Sequence, residues 1–248
     1  MTEPGGIETR NLNGSGRFLL VCEHASYDIP AQFDDLGLNP EARTAHIAWD
    51  PGALGLARTL SDKLDSPLVA ATVSRLIYDC NRAPDQASAM PVRSENYDIP
   101  GNQAVDTAER LARTEAVYIP FQNAVFAQMA RMLAAGKAPI LITLHSFTPL
   151  WFGQPREVEF GIIHDRDAAF AEQLAAFAAA EGTLKVALNQ PYSAADGVAH
   201  TLRLHATPHA LPHAMLEFRN DLLAEPEAQE ARAAWLAPLL RQTAERFR

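Results

Sequence analysis

The chain has 248 residues, of which 48% are hydrophobic and 21% charged, and a formal net charge of −9. That length supports one large α/β domain with a sizeable core, and the acidic balance argues against nucleic acid or an anionic membrane surface as a partner. An anionic substrate would have to be held by local arginines, because the overall field repels it.

The first 16 residues, rich in Gly, Asn and Thr, are expected to form a flexible arm, with the folded domain over 17–248. The arm has neither the basic start nor the apolar middle of a signal peptide, and no apolar run reaches the roughly 18 residues of a membrane span. A cytoplasmic protein is the default expectation. Residues 17–26, RFLLVCEHAS, form a strand-like run that delivers Glu23, His24 and Ser26. Cys22 and Cys80 each end an apolar run and are expected as buried, reduced thiols. A helical pattern covers 52–64, with Leu54, Ala57, Leu60 and Leu64 on one face, Asp50 as a cap and Pro51 at the first helical position.

Strands are expected at 68–73 and 76–80, the second delivering Asp79, Asn81 and Arg82. Residues 83–104 form a long irregular loop, a length that in compact domains tends to serve function. A helical pattern over 106–135 is interrupted near Pro120, and then ILITLHSFTP at 140–149 gives a short buried strand ending in His145. A loop with Trp151 and Phe152 leads to a strand at 158–163, an Ala-rich helix at 168–181 and a strand at 184–188. After the loop NQPYSAADG come a last strand at 214–218, carrying Glu217 and followed by Arg219, and an amphipathic helix over 227–246. Alternating strands and helices imply a single three-layer α/β/α domain around a mixed, mostly parallel sheet.

Polar groups at strand ends mark the ligand crevice of an open α/β sheet. His24 and His145, each at such an end, together with a carboxylate make the usual ligand set of a catalytic zinc; singly, each histidine reads more readily as a hydrogen-bonded core residue, and only their joint appearance beside Asp50 and Glu217 balances the two readings. Glu217 interrupts an apolar strand with Arg219 on the same face, as a buried ion pair or as a general base facing the attacking water. Arg82 offers a fork that holds a substrate carboxylate bidentately, or else a surface ion pair with Asp79 or Asp85. Asn189 and Tyr192 sit in a loop where they would contact substrate or merely turn the chain. His205, His209 and His213 are four apart, but Pro208 and Pro212 disrupt the helix that would align them, and His200 stands apart from that series. Ser26 and Ser146 lie outside any nucleophile elbow, and Cys22 inside its strand is a poor nucleophile.

The segments CEHASYDIP, HIAWDPGALGLA, SRLIYDCNRAP, IPGN, LHSFTP, NQPYS and MLEFRNDLL, in that order between about residues 18 and 223, resemble the N-formylglutamate amidohydrolase family. That family is similar in fold to the zinc carboxypeptidases and aspartoacylases, a phosphorylase/hydrolase-like architecture. The resemblance implies a zinc-dependent amide hydrolase of histidine degradation acting on a small anionic N-acyl amino acid. It implies His24 and His145 as metal ligands, Glu217 as general base, Arg82 with Asn81 as the grip on the substrate carboxylate, and Arg219 and Tyr192 as further substrate contacts. Carboxypeptidases place a glutamate three residues after the first histidine, where this chain has Tyr27; Asp50 is the preferred third ligand, with Glu23 and His46 as alternatives. Gln122 stands where relatives with a Pro-Tyr-His pattern carry histidine. The missing glutamate also motivates a second reading, a non-catalytic acyl-amino-acid binder.

Overall fold

The computed structural model describes residues 2–3 and 6–247, with side chains from 6 to 247. One mixed sheet runs through the molecule. Its strands are β1 (Thr2–Glu3), β2 (Ile7–Arg10), β3 (Phe18–Cys22), β4 (Leu68–Ala71), β5 (Ile140–Phe147), β6 (Phe160–Ile163), β7 (Val186–Leu188) and β8 (His213–Arg219). They lie in the order β1-β2-β4-β3-β5-β8-β6-β7. The pairs β3–β4, β3–β5, β5–β8 and β6–β7 are parallel, and β1–β2, β2–β4 and β6–β8 antiparallel.

Strand side chains alternate between faces, and the core divides accordingly. Ile140, Ile142, Leu144, Ala214, Leu216 and Phe218 enter one apolar cluster, while Leu141 and Met215 enter the other. The helices are α1 (Pro40–Thr44), α2 (Ala53–Leu64), α3 (Thr107–Arg113), α4 (Ile119–Ala134), α5 (Ala169–Ala180) and α6 (Pro226–Ala244). The first cluster packs against α2, α5 and α6 and the second against α4, which makes the three-layer α/β/α architecture. In α2, Leu56, Ala57, Leu60 and Leu64 are buried, whereas Leu54 is only partly covered. All eight residues of β5 are buried. At roughly 1.5–3 kcal/mol for each fully buried Leu or Ile, that strand is a firm mount for the imidazole of His145.

Three expectations change. Of the arm expected over residues 1–16, positions 1, 4 and 5 lie outside the described residues, but Ile7–Arg10 pairs antiparallel with β4 and Ile7 is buried. The run over residues 76–80 is buried as expected, yet it is a series of turns rather than a strand. Side chains complete its backbone bonding: Asn102 donates to the Leu76 carbonyl, Arg113 to that of Ile77 and Gln122 to that of Cys80, while the Asp79 N–H donates to the Ala89 carbonyl. Buried backbone needs partners, and here they come from side chains and a loop instead of a ladder. The helix over residues 107–134 is continuous but widens to a π-turn at Thr114–Tyr118, just before Pro120 in the first turn of α4. Pro120 has no N–H to give, and the widened turn takes up the change of register.

Both cysteines are buried and free. Among the described residues no helix is long and apolar enough to cross a membrane.

Candidate active site

His24 follows β3, and His145 lies in the buried C-terminal half of β5, its neighbour in the sheet. Asp50 reaches them because its backbone N–H donates to the His24 carbonyl at 2.9 Å. Its carboxylate does not cap α2. Gly52, at φ 79°, holds the position before that helix, and a Cβ there would lie 2.4 Å from Leu223, so a bare backbone lets the chain turn. Asp50 Oδ2 lies 3.2 Å from Nδ1 of His24 and 2.8 Å from Nδ1 of His145, and the two Nδ1 atoms are 3.2 Å apart. Each residue thus turns one donor atom to a common point, all within 4.8 Å.

The outer nitrogens are held too. Nε2 of His24 meets Asp79 Oδ1 at 2.8 Å, and Nε2 of His145 lies 3.2 Å from Glu23 Oε2, an ion-pair distance without good hydrogen-bond direction. Arg75 bridges Asp50 Oδ1 (3.3 Å) and Asp79 Oδ2 (2.6 Å). Such outer carboxylates fix the ring orientation of metal-binding histidines. Two imidazoles and a carboxylate, converging and braced from behind, form a donor set that could hold a divalent ion.

The charges support one another. Burial favours the neutral form of the Asp50 and Asp79 carboxyls, yet the histidines beside Asp50, and Arg75 and His24 beside Asp79, overcome it and hold both well below the usual range. Burial would likewise lower His145, but Glu23 and Asp50 on either side raise it well above an ordinary histidine.

Glu217 differs. It stands directly across from His145 in the β5–β8 register, is buried, and its Oε2 has no hydrogen-bond partner. Burial, assisted by Asp50 and opposed by His145, His24 and Arg75, pushes its carboxyl up to about 7. Beside it on β6, Gly161 lets the 189–192 loop close in, since a Cβ there would lie 2.1 Å from the Gln190 carbonyl oxygen. That approach brings Tyr192 to the site.

His24, Asp50, Arg75, Asp79, His145 and Glu217 line a cavity of about 720 Å³, within the usual size of small-molecule sites, together with Arg82, Arg156 and Tyr192. Arg82 donates to the carbonyls of Asn81 and Gly197 and makes no ion pair among the described residues. Asn81 also borders the cavity, but its amide is committed to the backbone of Val198 and Thr201. Arg219 is not brought into the cavity: it pairs with Asp221 at 2.8 Å and Glu159 at 3.5 Å. Of the alternative third ligands, Glu23 sits behind His145, and His46 lies 2.9 Å from Glu95 elsewhere on the cavity wall. Gln122 lies outside the cavity, where His205, lowered to about 4 by burial, meets its Oε1 at 2.7 Å. His200 contacts the Tyr118 hydroxyl and His213 the Leu211 carbonyl, each 2.8 Å away.

Sequence reasoning did not single out Arg75, Asp79 as a brace, or Arg156. Arg75 and Asp79 were hidden by the strand expected over 76–80, although their spacing of four in SRLIYDCNR was a usable signal. Arg156, in a polar loop after two aromatics, had no local signature.

The solved structure of the gene product Atu2144 from Agrobacterium tumefaciens is 48% identical, with a TM-score of 0.95 over 98% of this chain and 96% of that one. An N-formylglutamate amidohydrolase from Ralstonia eutropha JMP134 is 19% identical and shares the fold, with a TM-score of 0.68 over 98% of this chain and 97% of that one. No curated protein matches the chain. The sequence model of the N-formylglutamate amidohydrolase family matches residues 16–224, which spans the site from His24 to Glu217, and the chain belongs to that family of amidohydrolases.

Proposed function

We propose that this chain hydrolyses the amide bond of a small N-acyl acidic amino acid, with N-formyl-L-glutamate, cleaved to glutamate and formate, as the leading substrate. The observation that carries the reading is Glu217: a buried carboxylate with an unpartnered oxygen and a carboxyl raised to about 7, in register with His145 at the edge of the His24–Asp50–His145 group. An enzyme gains most from a base whose pKa lies near the working pH.

His24, Asp50 and His145 would hold one divalent ion, zinc by the chemistry of the set, and when bound it supplies Lewis-acid polarisation of the acyl oxygen and a more acidic water. Glu217 takes a proton from the attacking water, whose oxygen joins the acyl carbon. As the C–N bond breaks, Glu217 returns that proton to the departing amine. Arg82 holds the α-carboxylate of the substrate and so fixes the amide relative to Glu217, a contribution of orientation. Asn81 acts behind Arg82, tying its backbone to the 198–201 segment. Asp79 and Glu23 keep the two imidazoles aimed inward. The free, buried cysteines fit a reducing compartment such as the cytoplasm.

The test is a screen of formyl-, acetyl- and formimino-amino acids against the purified protein, with and without chelator. Release of glutamate from the formyl compound, abolished by chelator and restored by zinc, is the expected result. Turnover indifferent to chelation would remove the metal from this reading, and absence of turnover on every acyl amino acid, with no zinc bound, would favour the non-catalytic binder.

A further inference from the structure

We propose that Arg156 is the specificity-determining residue for a second carboxylate on the ligand, the one at the end of an acidic side chain. The assignment rests on the functional reading above for the class of ligand, and goes beyond it in naming what distinguishes an acidic from a neutral amino acid.

Four arginines border the cavity. Arg75 is spent on Asp50 and Asp79, and Arg93 lies 3.5 Å from Asp98. Arg82 and Arg156 have no carboxylate partner among the described residues. Two uncommitted guanidinium groups in one cavity, in a chain whose formal charge is −9, match a ligand with two carboxylates. With Arg82 on the α-carboxylate, Arg156 is left for the other.

The surroundings of Arg156 prepare it for this task. Its guanidinium carbon lies over the rings of Trp151 at 4.8 Å, Tyr192 at 4.9 Å and Phe147 at 5.5 Å. These contacts confine the guanidinium among three rings, and its N–H edge is the part that matches the two oxygens of a carboxylate. Its side chain makes one close hydrogen bond, Nη1 to the Tyr192 hydroxyl at 3.0 Å, and one long contact to the Thr148 carbonyl at 3.5 Å, so most of its five donors remain for a ligand. The backbone beneath is fixed as well. The Arg156 N–H donates to the Pro149 carbonyl at 2.8 Å, and Arg219 Nη1 donates to the Arg156 carbonyl at 3.2 Å. Arg219 therefore serves as a positioning residue under Arg156 and does not itself face the cavity. A lysine in this cage would offer a point charge without the planar fork.

The experiment compares binding of L-glutamate and L-glutamine, which differ only in the charged end, to the protein as purified, by titration calorimetry. The wild type is expected to prefer glutamate about tenfold or more, the order expected for a bidentate charged contact. Arg156→Gln should bring the two affinities within about threefold of each other by weakening glutamate alone, and Arg156→Lys should retain part of the preference. If Arg156→Gln does not fold, Arg156→Met keeps the aliphatic stem against the rings and is judged by the same criteria. A variant that keeps the full preference, or weakens both amino acids alike, overturns the assignment, as does a wild type without preference. Neither probe carries an N-acyl amide, the bond cleaved in the proposed reaction, so the outcome is independent of that hydrolysis: a protein that leaves N-formyl-L-glutamate intact yet keeps an Arg156-dependent preference loses the hydrolytic reading and retains this one.

Discussion

Glu217 and His145 occupy paired positions on adjacent parallel strands, on the sheet face opposite the one packed by α2, α5 and α6. Strand spacing of about 4.8 Å and the two-residue alternation of side chains bring the carboxylate and the imidazole to one place by backbone geometry alone. The site is built on the buried middle of the sheet, to which the segments before α2 and after β4 add Asp50, Arg75 and Asp79.

From that placement, Glu217→Gln should bind zinc as the wild type does and lose about a hundredfold or more in kcat, the order expected for removing a general base. Elemental analysis together with steady-state rates on N-formyl-L-glutamate checks this. Near-normal turnover with zinc in place would take Glu217 out of the mechanism.

The same residue should make the metal-free protein sensitive to pH. Its folded-state carboxyl is raised to about 7 from 4.5, so the folded state holds the proton more tightly than the unfolded one. The stabilising effect of that proton is fully present below about 4.5 and is lost as pH rises toward 7. Wild-type metal-free protein should therefore lose stability across that window relative to Glu217→Gln, by a few kcal/mol at most. Melting temperatures of the two proteins between pH 4.5 and 8 read the difference; parallel curves would show that the carboxylate ionises without cost.

Asp79, on the cavity wall, and Glu23, behind His145, brace the two imidazoles through their outer nitrogens. Asp79→Asn and Glu23→Gln keep the size of each side chain and remove its charge, and each is expected to weaken zinc about 10- to 100-fold. Competition against a chromophoric chelator measures the effect directly, without reference to turnover. Unchanged zinc affinity in both variants would mean that burial alone orients the histidines.

Much of this protein was legible in the sequence alone. The alternation of strands and helices announced the three-layer domain, a short β-branched run bounded by prolines placed His145 on a buried strand, and the apolar run at 214–218 placed Glu217 on another, because those signals depend on neighbours a few positions away. The tertiary structure decided the rest. Asp50 had the local signature of a helix cap, and the family resemblance offered it beside Glu23 and His46 as a third ligand; the fold makes it the third member of the histidine cluster, since its carboxylate answers to His24 and His145, 26 and 95 positions distant. The buried run at 76–80 matched a strand in composition, but its backbone bonds are met by Asn102, Arg113 and Gln122, which no local pattern discloses. Arg219 looked like a substrate cation and Arg156 like a loop residue, yet Arg219 pairs with Asp221 outside the cavity and Arg156 lines it among three aromatic rings. Periodicity reports which face a side chain takes, a property of the local backbone; which charge it meets there is set by chain segments far away in sequence, and only the folded sheet brings them together.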